Sequence, residues 1–296
     1  MISKNNAYNA LKRLGSNITL IDLEPIIDGG IASATEEIPM IEKYLKDQAV
    51  DAVFMLHCDF GIEEVIARVG KAVDKPLLLW GARDDAPLVD GLRIRDTQCG
   101  IFASSKVLQR YGVPFSYIVN CHADDPRLIE GVEDFCRSTA VVKAMKGMRI
   151  LQVGNRPRSF MSVMINEEEL LHQFGIEVVP VSMGSLVQQI NAKVKNPNTQ
   201  LYQIIEEFKE RIDCSLLTEE KLRTIAAMIQ FFELEMKANK CRGAAIECWS
   251  SLSALLGVLP CQAIGELTAM GFPVACEADI AGAVSSVMLQ AAGYNE

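Results

Sequence analysis

Two glutamates near the end of the chain, Glu247 in GAAIECW and Glu277 in PVACEADIAGA, have the residue type and spacing of an acid/base or metal site. Each follows a short apolar run typical of a β-strand, and a helical pattern comes after each. In an open parallel sheet, ligands bind at the carboxyl ends of the strands. Two carboxylates that meet there can bind a divalent cation or transfer protons. Structural salt bridges are the alternative, because an ionised carboxylate in an apolar strand needs a partner.

Short apolar runs alternate with helical patterns through the first half of the chain, which predicts a parallel sheet covered on both faces. The predicted strands are residues 17–23, 50–58, 76–80 and 114–119. The predicted helices are residues 35–48, capped by Thr35, then 62–73 and 98–111. Gly112 and Pro114 end the last of these helices.

A longer helical pattern over residues 126–147 leads into a second series of strands and helices. Asn166 and Glu169 fit a capping box at the start of a helix. Residues 191–238 are expected to be largely helical, with a loop around 195–198. The predicted strands of this half are residues 148–154, 176–183, 244–249 and 273–277. We therefore predict two α/β domains, residues 1–140 and 141–296.

Composition excludes several classes of function. The 296 residues carry a net charge of −9 without a Lys/Arg block, which argues against a nucleic-acid partner. The N-terminus lacks the apolar core of a secretory signal, and no apolar run approaches the ~18 residues of a membrane span. The nine cysteines form no CxxC and are interpreted as reduced thiols. We expect a cytoplasmic protein.

The GNRPRSF segment, residues 154–160, lies between a strand and a helix, where phosphate-binding loops occur. It matches neither GxGxxG nor GxxxxGK[ST], so a nucleotide site is weakly supported. Arg156 is a candidate for contact with an anionic or hydroxylated ligand, and a solvated loop is the alternative.

Trp80 ends the apolar run LLLW before Gly81, where an indole could stack on a sugar; core packing is the alternative. The three histidines are scattered. His57, at the end of a strand, is the best candidate for a position at the sheet edge, although a hydrogen-bonded structural histidine is the default interpretation. A zinc hydrolase is poorly supported.

From Gly243 onward the sequence resembles the L-fucose/L-arabinose isomerase superfamily, in particular L-fucose isomerase-like proteins. The matching pattern is Glu247, then LPCQAIGEL, then a strand ending in CEADIAGA. Upstream, WGARDD and VGNRPRSFMSVMINEEELLHQFGIEV are similar to the same family. The resemblance covers nearly the whole chain and is weak through residues 191–238.

The resemblance implies two Rossmann-like (flavodoxin-like) domains and a third β-rich domain, which we expect to be absent from this chain. It implies an aldose-ketose isomerase that uses Mn²⁺ or another divalent cation. Glu247 and Glu277 would be metal ligands and acid/base groups, with Asp279 as an alternative ligand. Trp80 would line the sugar pocket of a neighbouring subunit in a homo-oligomer. Independently of the resemblance, the position of Arg156 in its loop makes it a second candidate for substrate binding.

The resemblance also implies a reaction mechanism. Mn²⁺ would chelate O1 and O2 of the sugar, one carboxylate would remove the C2 proton, and a second group would move the hydroxyl proton. A hydride shift would use the same ligands. The family completes its metal site with a later histidine, and none follows His172 here. We therefore expect an isomerase that is incomplete in this chain. A non-catalytic sugar-binding module is the alternative, and the sugar itself is not specified.

Overall fold

A computed structural model describes residues 2–294, with side chains from Lys4 onward. The chain divides into two compact units, Met1–Ala140 and Val141–Glu296. Each unit folds around its own parallel sheet. The protein is therefore an α/β protein with two parallel sheets, as the alternating sequence pattern predicted, and its units are consistent with the Rossmann-like domains that the resemblance implied.

The first unit contains a three-stranded sheet in the order β1-β2-β3. Val53 of β1 lies opposite Leu77 of β2, and Leu78 of β2 lies opposite Ser116 of β3. The elements, in chain order, are α1 (Ile2–Leu11), α2 (Ile38–Asp47), β1 (Val53–His57), α3 (Glu63–Val73), β2 (Leu77–Gly81), α4 (Thr97–Arg110), β3 (Ser116–Tyr117) and α5 (Pro126–Met145). The boundary between the units falls within α5.

Alternation along β2 separates the core of the first unit into two layers. Leu77 and Leu79 pack with residues of α2, α3 and α4. Leu78 and Trp80 pack with residues of α1 and α5 on the other face. Because successive strand side chains point to opposite faces, an entirely apolar strand needs helices on both sides.

The second unit contains a four-stranded sheet in the order β5-β4-β6-β7. Its elements, in chain order, are β4 (Arg149–Val153), α6 (Glu167–Phe174), β5 (Glu177–Val181), α7 (Met183–Lys195), α8 (Thr199–Arg211), α9 (Glu219–Ala238), β6 (Gly243–Ile246), α10 (Leu252–Leu256), α11 (Cys261–Ala269), β7 (Val274–Ala275) and α12 (Ile280–Ala292). The chain moves outward from β4 to β5 and then returns to place β6 on the other side of β4. The direction of winding therefore reverses between β4 and β6, which is where such folds bind ligands.

Helix α9 forms the centre of one layer of the second unit. Its residues 224–232 are all buried, and it packs with α7, α8, α11 and β6. Gln230, the amide in this buried run, donates a hydrogen bond to Oδ1 of Asn198 at 3.0 Å, and Asn198 caps α8. Among the described residues, no helix is both long and apolar enough to cross a membrane.

The strand predicted for residues 17–23 is wrong, because this segment is irregular and pairs with no strand of the described chain. The ammonium group of Lys4 in α1 holds it instead. It lies 2.8 Å from Oε1 of Glu24, 3.0 Å from Oδ1 of Asp22 and 3.0 Å from the carbonyl oxygen of Gly29. These contacts tie the segment to a helix, so polar side chains replace strand pairing.

The predicted cap at Thr35 is also wrong. Thr35 begins a short 3₁₀ turn, and α2 starts at Ile38. The carboxylate of Glu37 accepts hydrogen bonds from the backbone N–H groups of Ser33 (2.8 Å) and Ala34 (3.0 Å). The Glu37 carboxylate therefore stabilises this segment by accepting N–H groups from earlier residues. The predicted cap would have used the Thr35 hydroxyl to accept an N–H from a later residue.

Gly100 allows α4 to pack directly against the backbone that follows β1. A Cβ atom at this position would lie 2.7 Å from the carbonyl carbon of Phe60 and 2.8 Å from its Cα. At Gly265, in α11, a Cβ atom would have no atom within 4 Å apart from its own helix backbone and chain neighbours. The two helical glycines therefore allow a controlled comparison, because only Gly100 lies against the backbone of another segment.

We predict that Gly100→Ala lowers the free energy of unfolding by about 1–3 kcal/mol, because backbone atoms must move. Gly265→Ala should raise it by about 0.5–1 kcal/mol, because alanine loses less conformational entropy in a helix. Urea unfolding followed by circular dichroism measures both. Equal stabilisation by the two substitutions would contradict the close approach at Gly100.

Candidate functional site

Three segments meet at the carboxyl edge of the second sheet: residues 154–160 after β4, 247–251 after β6 and 276–279 after β7. Backbone hydrogen bonds extend the pairing past the strands. The N–H of Glu247 donates to the carbonyl of Val153, and the N–H of Ala278 donates to that of Ile246, both at 2.9 Å. The predicted glutamates therefore follow neighbouring strands, with Glu247 where the winding of the sheet reverses.

The Glu247 carboxylate is buried, with 9% of the residue exposed. Its Oε2 accepts the N–H of Asn155 at 2.9 Å, and its Oε1 accepts the hydroxyls of Ser250 at 2.8 Å and Ser251 at 2.6 Å. Burial by itself would raise the pKa of Glu247, but these hydrogen bonds outweigh it and hold the pKa below its usual range. The carboxylate is therefore ionised at neutral pH, supported by uncharged donors.

Gly154 leaves the space that this carboxylate occupies. A Cβ atom there would lie 2.6 Å from Oε2 of Glu247 and 2.8 Å from its Cβ. The backbone of Gly154 also has a φ of +75°, a conformation that favours glycine. Glycine thus serves both the turn after β4 and the approach of Glu247.

Glu277 is half-buried and lies in a strained turn. Its φ is 55° and that of Ala278 is 52°, and this region costs a residue with a side chain about 1–2 kcal/mol. The N–H of Glu277 donates to Sγ of Cys248 at 3.3 Å, and the Cys248 thiol donates to Oε1 of Glu277 at 3.6 Å. Consecutive strained residues are often found at functional sites.

Asp279, the alternative metal ligand, is the N-cap of α12. Its Oδ1 accepts the N–H of Gly282 at 2.9 Å. One of its oxygens therefore already stabilises the first turn of the helix, and its ligand role stays a prediction.

The structure brings together a set of groups that the sequence did not single out. The potential ligand atoms of Cys248, Cys276 and Glu277 all lie within 4.8 Å of one another. Among the side chains of residues 4–294, no other three His, Cys, Asp or Glu groups are clustered so closely, and Glu247 and Asp279 are outside this one. Burial is the main cause that raises the pKa of both thiols, that of Cys276 to about 12.

The loop after β4 is closed by its own arginine. Nη1 of Arg156 lies 3.2 Å, 3.3 Å and 3.4 Å from the carbonyl oxygens of Pro157, Arg158 and Phe160. The ring of Phe160 contacts that of Trp249, with centroids 5.7 Å apart. Arg156 therefore shapes the loop, and the substrate contact predicted for it requires release of these hydrogen bonds.

Trp249 and the two serines that hold Glu247 were not selected from the sequence. Trp249 is 66% exposed and follows Glu247 by two positions. The sequence ECWSS indicated the serines, because hydroxyls three and four residues after an isolated acid can donate hydrogen bonds to it. Trp249 was overlooked because tryptophan is more often found in protein cores.

Trp80 and His57 lie in the first unit. Trp80 is fully buried, donates from Nε1 to Sγ of Cys121 at 3.3 Å, and stacks with Phe54 at a centroid distance of 6.3 Å. His57 is 2% exposed, its Nδ1 lies 3.2 Å from the carbonyl of Phe60, and burial lowers its pKa. Here Trp80 is a core residue, and its predicted contact with sugar requires exposure of the indole.

We predict that Glu247→Gln lowers the free energy of unfolding at neutral pH by about 1–3 kcal/mol. The amide loses the charge-assisted hydrogen bonds of the carboxylate. Its NH₂ group also faces the N–H and O–H donors that surround this position. The pKa of Glu247 is depressed by folding, so its contribution is present above the unfolded pKa and disappears as pH falls through the folded pKa. Urea unfolding across this pH range should show the two proteins converging in acid. The exposed Glu168→Gln is the control, and a pH-independent difference would contradict the assignment.

Comparison with known proteins agrees with the sequence motifs. Residues 2–146 match the family described as fucose/sulfoquinovose isomerase, N-terminal domain. Sulfoquinovose isomerases of Priestia aryabhattai and Priestia megaterium (strain ATCC 12872 / QMB1551) are each 23% identical to this chain over 260 residues. A sulfoquinovose isomerase of Clostridium sp. (strain MSTE9) is 22% identical over 213 residues.

These alignments extend over most of this chain and about half of each relative. They cover 88% of the chain and 57% of each Priestia protein, and 71% of the chain and 46% of the Clostridium protein. With the parallel sheets of both units and the motifs around Glu247 and Glu277, they lead to one conclusion. The chain resembles fucose isomerase-like proteins, and its residues 2–146 correspond to the N-terminal domain of the fucose/sulfoquinovose isomerase family.

Proposed function

We propose that this chain carries the carboxylate pair of a sugar aldose-ketose isomerase. The observation that supports this most is the ionised, buried Glu247 at the position where the sheet reverses its winding, with Glu277 after the neighbouring strand. The names of the relatives support a sugar substrate. Sulfoquinovose, L-fucose and L-arabinose are the first candidates.

The proposed reaction moves a hydrogen between two adjacent carbons. In the enediol route, Glu247 takes the proton from C2, the C1 carbonyl becomes a hydroxyl, and a proton returns to C1 as the C2 hydroxyl becomes the ketone. Glu247 is ionised at neutral pH, which is the form that can accept a proton. The hydroxyls of Ser250 and Ser251 and the N–H of Asn155 hold it in one orientation.

We propose that Glu247 and Glu277 hold Mn²⁺ or another hard divalent cation, with Asp279 as the alternative ligand. Carboxylate oxygens are the donors that such cations prefer. The donors around Glu247 are uncharged, so its negative charge is left for a cation to neutralise. When bound, the cation supplies Lewis acidity that polarises the sugar carbonyl.

Trp249 offers a surface for the sugar. Its exposed indole contacts Phe160, and it lies in the same segment after β6 as the proposed base. Indole faces pack well against the C–H face of a sugar. Arg156 in the same loop and Trp80 in the first unit stay predicted substrate contacts.

Isomerisation in D₂O tests the proposal directly. The full-length protein with Mn²⁺ should convert at least one of the three sugars, with deuterium entering C1 of the ketose, as measured by NMR. Glu247→Gln should lower the rate by about 10²–10⁴-fold, the usual contribution of a general base. Glu168→Gln should retain activity. Undiminished turnover by Glu247→Gln would refute the assignment, and conversion without solvent deuterium would indicate a hydride shift.

Sugar binding is the second readout and separates the enzyme from a non-catalytic binding module. A bound sugar should change the fluorescence of Trp249, and Trp249→Phe should remove this change while the buried Trp80 still emits. Saturable binding without conversion would favour the module. Absence of both binding and conversion with all three sugars would contradict the proposal for this chain.

We also propose that the protein is a homo-oligomer in the cytoplasm. The support for oligomers is a set of exposed apolar side chains after β2: Leu88, Val89, Leu92 and Ile94. A reducing compartment suits the nine free cysteines. Light scattering should give a mass above that of one chain, and Val89→Asp with Leu92→Asp should lower it, because charges are costly in an apolar interface. A monomeric mass for the unmodified chain would contradict the oligomer.

A further inference from the structure

We propose that Cys248, Cys276 and Glu277 form a binding site for a thiophilic divalent cation of the Zn²⁺ class. This site differs in donor chemistry from the carboxylate pair, although both use Glu277. Its existence does not depend on the isomerase proposal, because its readout is metal binding.

The separations of the three groups suit tetrahedral zinc. Bonds of about 2.3 Å to sulfur and about 2.0–2.2 Å to oxygen place neighbouring sulfur and oxygen ligands about 3.6 Å apart, and two sulfurs about 3.8 Å apart. Sγ of Cys248 and Oε1 of Glu277 are 3.6 Å apart, and all three ligand atoms lie within 4.8 Å. A cation can therefore enter with small side-chain movements.

The backbone explains how two consecutive residues reach one point. In an extended strand, Cys276 and Glu277 would point to opposite faces of the sheet. The left-handed φ of Glu277 breaks this alternation, so both side chains approach Cys248. The bond from the N–H of Ala278 to the carbonyl of Ile246 fixes the two segments in this register. The strained turn thus has a local consequence: it assembles the three groups.

The donor set selects the class of cation. Thiolate ligands favour Zn²⁺ and Co²⁺ over Mn²⁺ and Mg²⁺, which prefer oxygen. Three protein ligands leave one tetrahedral position for an external oxygen, as in zinc sites that bind small ligands. A thiophilic cation at this site also removes Glu277 from the carboxylate pair.

Titration of the reduced full chain with Co²⁺ tests the site. We expect a thiolate-to-cobalt charge-transfer band that Zn²⁺ abolishes and equimolar Mn²⁺ leaves unchanged. Cys248→Ser and Cys276→Ser should each weaken binding at least about tenfold, because each removes a ligand. Glu277→Gln should weaken binding while retaining the sulfur band. Cys99→Ser, which changes an exposed thiol of the first unit, is the control and should have no effect.

Alkylation of the unmodified protein gives a measurement that does not depend on the folding of the variants. Zn²⁺ should lower further the already slow rate at which a maleimide labels Cys276, as measured over time by peptide mass spectrometry, while the rate at Cys99 stays unchanged. No sulfur band, a band retained in both serine variants, or unprotected Cys276 would overturn the proposal. Glu247→Gln should keep Co²⁺ binding while it loses isomerisation, so failure of one proposal is distinguishable from failure of the other.

Discussion

The buried carboxylate of Glu247 is the constraint on which the carboxyl edge of the second sheet depends. Parallel pairing of β4 with β6 carries the chain past Ile246 and leaves an acid where the winding reverses. Burial of that charge is costly unless donors surround it. The N–H of Asn155, the hydroxyls after Glu247 and the missing side chain of Gly154 are all consequences of this one requirement. The loop after β4 is therefore shaped by a residue 92 positions further along the chain.

Patterns set by local physics were predictable from the sequence. The apolar runs that alternate with helical patterns correspond to parallel strands. This alternation is present in both units of the chain. Asn166 accepts the N–H of Glu169 at 3.2 Å, which confirms one half of the predicted capping box of α6. Oε1 of Glu169 accepts a hydrogen bond from Gln173 instead. The position of Glu247 and Glu277 at neighbouring strand ends also followed, because both acids interrupt apolar runs. By contrast, residues 17–23 have strand-like composition, and the contacts of Lys4 decided their structure.

Features that depend on register and backbone conformation were not predictable in the same way. Cys248 and Cys276 come close only because β6 pairs with β7 and the backbone makes a left-handed turn at Glu277. That backbone conformation cannot be predicted from residue composition. Trp80 shows the opposite problem. Its place at the end of a strand is compatible with an exposed edge, but the helices on that face of the sheet cover it completely.

The two glutamates have different environments, and this difference limits what each can do. Glu247 has both oxygens held by neutral donors, which keeps the carboxylate ionised and fixes its orientation. Glu277 is less buried and lies beside two thiols, so its oxygen can move toward a cation at smaller cost. Because hard cations prefer oxygen and thiophilic cations prefer sulfur, the same carboxylate can serve either. Under the two proposals, the identity of the cation would decide whether Glu277 is paired with Glu247 or with the thiols.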